Sequence, residues 1–173
     1  MVLIRQFFDI SMSLISVIII NCKILFYKIF TQKKIGLFYH PKKNLTKNHT
    51  QYIEDYFSKN KNFLIFYGSL FFFNKDNYFY IKPFSLKYIH GIDIFLSNNV
   101  CDQFTSFSKK IYIHHDIFDT PLVEPKKELT LLNRLLKYDY IVVSSEQSKK
   151  IFLKLFKGLN NHPALKVSRY LKL

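Results

Sequence analysis

Ile111-Tyr-Ile-His-His-Asp-Ile-Phe-Asp-Thr-Pro-Leu-Val123 is the stretch on which the reading of this chain turns. Ile111, Tyr112 and Ile113 are strong β-formers and Thr120-Pro121 closes a turn, so a short strand hands two histidines and two aspartates to a loop. Neighbours on a strand point to opposite faces, so His114 and His115 share a task only where the backbone has left the pleat. One is expected to act as base or ligand and the other to be structural. Asp116 and Asp119 are close enough in sequence to orient an imidazole, which titrates near neutrality and suits general-base work. The spacing of these four residues matches no zinc signature, and no metal is expected.

Outward from this stretch, strand and helix alternate. Ile35–Tyr39 reads as a strand ended by His40-Pro41, and Asn48–Ser58 as a helix capped by Asn48 with Gln51 three residues on. Phe63–Tyr67 is a second strand, ended by Gly68-Ser69. The aromatic run Leu70–Phe73 and the segment Tyr78–Ile81 are ambiguous, with a short hairpin-like excursion around Asn74–Asn77 as one reading. Pro83 suits the first position of a short helix reaching about Ile89. Ile92–Leu96 gives a strand ended by Ser97-Asn98-Asn99, and Lys110–Ile113 is the strand of the opening stretch. Pro125 starts a helix whose Leu129, Leu132, Leu135 and Leu136 recur at helical spacing. Tyr140–Val143 is the last clear strand. Ser144-Ser145 then caps a helix, with Ser144 and Gln147 at capping-box spacing and Gly158 as its stop.

This alternation predicts an open, mostly parallel α/β sheet with helices on both faces. Ligands of such sheets bind beyond the carboxyl ends of the strands. The residues gathered there are His40, Ser69, Asn98, His114, His115, Asp116, Ser144 and Ser145, and Lys42 and Lys43 beside His40 are point charges suited to a phosphate. There is no Walker loop, no G-x-G-x-x-G and no G-x-S-x-G elbow among only 4 glycines.

Before the sheet, residues 1–33 form a hydrophobic, basic helix. Ile10–Cys22 carries no charge, but Lys23 interrupts it before an ordinary spanning length is reached, and Ile24–Phe30 resumes the apolar run around Lys28. A membrane span with snorkelling lysines, an in-plane anchor and a buried helix are all open. Lysines concentrate on its C-terminal side, which places the following domain on the cytoplasmic face if it inserts. Residues 34–158 are expected to be the α/β domain and 159–173 a tail or linker.

The formal charge of +14 attracts anionic partners, such as phosphorylated substrates or acidic lipid. Nucleic acid is not expected, because lysine far outnumbers arginine and no nucleic-acid motif is present. Cys22 and Cys101 are the only thiols and make no disulfide framework, as in a reducing compartment.

The order of a basic hydrophobic N-terminal segment, an α/β domain, Ile-Tyr-Ile-His-His-Asp at a strand's end, and Lys137-Tyr-Asp-Tyr-Ile-Val-Val-Ser-Ser145 before a helix resembles the N-terminal domain of the CDP-glycerol glycerophosphotransferases, the teichoic-acid polymerase-like family. Asp116 stands where that family's turn carries glycine. The resemblance implies one half of a GT-B-like architecture, lacking the C-terminal donor-binding domain and inactive alone. It implies transfer of a glycerol-phosphate or related group from a cytidine nucleotide to an acceptor hydroxyl, without a cofactor. His115, or His114, would take the acceptor proton, and the partners would be an anionic membrane surface, a phosphorylated polyol or glycan acceptor and a separate C-terminal lobe or partner chain. Two other readings stand beside it, a non-enzymatic membrane-tethered α/β binding module and a sugar-nucleotide glycosyltransferase fragment for surface polysaccharide.

Overall fold

A computed structural model describes residues 2–40, 59, 62–70, 76–114 and 125–168, with the side chains of residues 2–5 and 125–129 left aside. Helix α1 spans Val2–Thr31 and is followed by β1 Lys34–His40, β2 Phe63–Ser69, β3 Tyr78–Tyr80 and a 3-10 helix at Pro83–Tyr88. Then come β4 Ile94–Ser97, β5 Lys109–Ile113, α2 Pro125–Leu135, β6 Tyr140–Val143, α3 Glu146–Leu155 and β7 Ala164–Val167. The strands hydrogen-bond in the order β3-β2-β1-β4-β5-β6-β7 and run parallel, an open Rossmann-like α/β sheet preceded by an apolar helix. The helix expected at residues 48–58 lies outside the described residues. Contacts divide the chain into two compact units, Met1–Phe95 with Gln103–Ser108, and Leu96–Asp102 with Lys109–Leu173.

In the first unit, β1 from Ile35 onward and β2 from Ile65 onward are buried without a break. Such continuous burial is the mark of parallel strands covered on both faces. The glycines make this possible. A Cβ at Gly36 would sit 2.9 Å from the Phe63 ring, and one at Gly68 would sit 2.8 Å from Ile81 Cδ1. Phe63 fills the space at Gly36, and Ile81 with Tyr39 the space at Gly68; along β2, Tyr67 stacks on Tyr78 at 4.6 Å and Phe66 is edge-on to Phe79 at 5.8 Å. The hairpin-like excursion read around Asn74–Asn77 falls largely outside the described residues; β3 itself runs parallel to β2, Tyr67 opposite Tyr78 and Ser69 opposite Tyr80. β3 pairs with the last three residues of β2, Tyr67–Ser69.

α1 docks on this unit along one side. Ser13, Ser16, Val17, Ile20 and Ile24 are buried, the three-and-four spacing of one helical face. Ser13 Oγ shares a hydrogen bond with Ser85 Oγ at 2.7 Å and accepts from the Lys82 backbone N–H at 2.9 Å. Asn21 serves the end of the 3-10 helix from both sides of its amide, donating to the Tyr88 carbonyl and accepting from the His90 N–H. By length and composition Gln6–Thr31 is also long and apolar enough to cross a membrane.

In the second unit burial alternates along β6 and β7. β6 is buried at Ile141 and Val143 and half-exposed between them, and β7 alternates exposed and half-buried residues. β7 is a strand within the segment read from sequence as a tail, paired parallel to β6 with Tyr140 opposite Ala164 and Val143 opposite Val167. α3 is capped by Ser145, not Ser144: the Ser145 Oγ accepts from the Ser148 N–H at 3.1 Å. Gly158 closes the following turn at φ +86°, where a side chain would be strained.

Candidate functional site at the carboxyl ends of the strands

In each unit the strands end in buried polar side chains. In the first, His40 closes β1 and Ser69 closes β2, directly opposite each other in the parallel register and 5% and 1% exposed. Lys42 and Lys43, expected to hold a phosphate beside His40, lie outside the described residues.

In the second unit three consecutive strands contribute. Ser97 and Asn98 end β4, His114 follows β5, and Ser144 and Ser145 follow β6, with Ser97, Asn98, His114 and Ser144 buried. Neighbouring parallel strands lie about 4.8 Å apart, so these ends form one polar row. His114 remains tied to the sheet, its N–H donating to the Val142 carbonyl at 2.8 Å. Its ring stands edge-on to Phe152 at 5.1 Å, and Nδ1 lies 3.2 Å from the Tyr112 hydroxyl. Such a ring is held in one orientation by apolar packing and a phenol. His115, Asp116 and Asp119 lie outside the described residues.

The two serines after β6 differ in what they do. Ser145 spends its hydroxyl on the α3 cap and meets Ser148 Oγ at 3.0 Å. Ser144 Oγ, buried, finds no hydrogen-bond partner among the described residues. A buried hydroxyl without a partner is costly.

Sequence reasoning missed the clamp that holds the β4 end in place. The Tyr138 hydroxyl shares a hydrogen bond with Ser97 Oγ at 2.9 Å and accepts from the Cys101 N–H at 2.9 Å. Arg134 of α2 pairs with Asp102 at 2.6 Å and donates to the Val100 carbonyl. Residues 97–102 are therefore fastened at both ends of the loop. Burial pushes the Cys101 thiol up to about 11 and raises the Tyr138 phenol well above its ordinary range. A thiol so far from ionising is no nucleophile. The sequence signal for this clamp was Arg134 itself, the charged residue between Leu132 and Leu135 of α2.

Two clefts occur at the opposite, amino ends of the strands. One of about 510 Å³ is lined by Gln32, Lys33, Asn62 and Phe63, and one of about 410 Å³ by Lys109, Asp139, His162 and Pro163. Neither contains a residue expected to carry chemistry. Among the described residues no group of three or more His, Cys, Asp or Glu could hold a metal.

Compared with known proteins, the chain matches no family model, no curated protein and no solved structure.

Proposed function

We propose that the chain is the N-terminal, acceptor-side half of a membrane-associated transferase, moving a glycerol-phosphate or related group from a cytidine nucleotide to an acceptor hydroxyl in cell-envelope polymer synthesis. The observation that supports this reading is the polar row of the second unit, where Asn98, His114 and Ser144 end three consecutive parallel strands and are all buried. Open α/β sheets receive ligands at such an edge. The donor would be held by a second lobe, on this polypeptide or on another. His115 is assigned as the base. It takes the acceptor hydroxyl proton as the oxygen bonds to the donor phosphorus, and the bond from that phosphorus to the oxygen of the departing cytidine monophosphate breaks.

The packing of His114 favours a second reading. A histidine edge-on to Phe152 and bonded by Tyr112 is also how a purely structural histidine sits, as a non-enzymatic binding module would have it. Membranes from cells producing the wild-type, His114→Ala or His115→Ala protein, incubated with labelled CDP-glycerol, separate the two. The transferase reading expects His115→Ala to lower incorporation by about 10²- to 10⁴-fold. Incorporation unchanged in both variants overturns it and leaves the module. Competition by uridine nucleotides but not cytidine nucleotides would instead indicate a sugar-nucleotide glycosyltransferase.

A further inference from the structure

We infer that α1 is an in-plane membrane anchor, its outer face seated in the acyl boundary of an anionic leaflet. The inference deepens the membrane association proposed above and rests on it. At 100° per residue, the positions from Phe7 to Phe30 that face away from the docked side form an arc of roughly 160° with no charged residue in it. Eleven large apolar side chains of α1 are between 39% and 74% exposed, among them Phe7, Ile18, Leu25 and Phe30. A helix apolar on all sides is one that is covered on all sides. The first unit covers one side, and the outer side requires an apolar phase of its own.

The docked side decides how that phase is entered. Asp9 pairs with Lys82 at 3.2 Å, Ser13 holds Ser85 and Lys82, Asn21 holds Tyr88 and His90, and Lys28 pairs with Asp93 at 3.1 Å. The ties run from residue 9 to residue 28, over about 28 Å of helix. A helix crossing the bilayer would have to release all of them or pull the Lys82, Ser85 and Asp93 groups into hydrocarbon. Lying flat keeps every tie and still buries the outer arc.

Charge selects lipid over a second copy of the chain. Lys23 and Lys28 border the apolar arc, Lys33 and Lys34 follow the helix, and the chain carries +14 overall. Two such chains repel each other, whereas an anionic lipid surface attracts each one. Exposed Phe84 and Tyr88 of the 3-10 helix, with Lys87 Nζ 4.9 Å above the Tyr88 ring, add the aromatic and basic pairing favoured at lipid interfaces.

The chain has no tryptophan, so Phe7→Trp, Ile18→Trp and Phe30→Trp each place a single, selectively excitable indole on the outer arc. With vesicles of phosphatidylcholine and phosphatidylglycerol, all three are expected to shift to the blue and to be quenched equally by lipids brominated at shallow depth. Vesicles of phosphatidylcholine alone are expected to bind at least about tenfold more weakly. Ile18→Glu with Leu25→Glu is expected to weaken binding by at least about tenfold with the helical circular dichroism unchanged. Quenching of Ile18→Trp at the bilayer centre, with Phe7→Trp and Phe30→Trp at the surface, means a span and overturns the inference. So does a chain that ignores vesicles and sediments as a dimer. Incorporation of labelled CDP-glycerol unchanged in His114→Ala and His115→Ala, with shallow vesicle binding intact, would refute the transferase reading alone.

Discussion

Asp93 and Asp139 lie in different units yet hold their strands in the same way. Each directly precedes a strand, β4 or β6, and each carboxylate accepts the N–H of a residue at the start of a parallel partner, Ile35 of β1 or Lys110 of β5, at 2.7 Å. Each backbone closes the same ring, Asp93 N–H to the Ile35 carbonyl at 2.8 Å and Asp139 N–H to the Lys110 carbonyl at 2.9 Å. The difference is in what surrounds the clasp. Asp93 also takes Lys28 of α1, beside strands buried without interruption. Asp139 starts a strand of alternating burial, in the unit whose polar row ends in Asn98, His114 and Ser144. The same local device thus starts strands in a unit built for packing and in a unit built around polar groups.

The contrast in packing should give the largest effect. Phe66 is fully buried between Tyr27 and Phe79, and Phe66→Ala is expected to cost about 3–5 kcal/mol in urea denaturation. Leu165→Ala, in the half-buried β7, is expected to cost below about 1.5 kcal/mol. Equal costs would break the contrast between the units.

The clamp of the second unit should respond to pH and to loss of one hydroxyl. The folded Cys101 thiol titrates near 11 against 9.0 for the free side chain, because burial disfavours its anion. Between these values the unfolded chain has given up the proton and the folded chain keeps it. The contribution is therefore complete below pH 9 and is lost as pH rises towards 11. Wild type should lose more stability than Cys101→Ala over that window, read as the difference in urea midpoints. Tyr138→Phe leaves the Cys101 N–H without its acceptor and is expected to cost about 1–3 kcal/mol.

The clasps themselves should give the smallest effects. Asp139→Ala loses a partly solvated hydrogen bond and is expected to cost about 1 kcal/mol, and Asp93→Ala slightly more because Lys28 is released as well. A double substitution of Lys28 and Asp93 that is no worse than Asp93→Ala would assign the pair its expected small share.

Much of the sheet was legible because its signals are local. The apolar runs at Ile35–Tyr39, Phe63–Tyr67 and Tyr140–Val143 fall within β1, β2 and β6, and Pro125 does start α2. The departures have local causes too. Ala164–Val167 is an edge strand after a proline, its apolar run broken by Lys166, and it becomes a strand by pairing with β6. Ser144 and Ser145 are equivalent in sequence, and the cap passes to the one whose extended backbone aims its hydroxyl at Ser148. Of the candidate site, the placement of His40, Ser69, Asn98, His114 and Ser144 at strand ends followed from the alternation of strand and helix. The burial of His114 against Phe152 did not, since those residues are distant in the chain.

The sequence by itself determined an alternating, parallel α/β chain with polar strand ends and an apolar, lysine-flanked helix in front, because composition and short periodicity act within a few residues. Only the tertiary structure decided which side of that helix is taken. Ser13, Asn21 and Lys28 find partners 65 to 72 residues away, and no local pattern specifies contacts at that range. It is those contacts that bind one face of α1 to the first unit and leave the other bare.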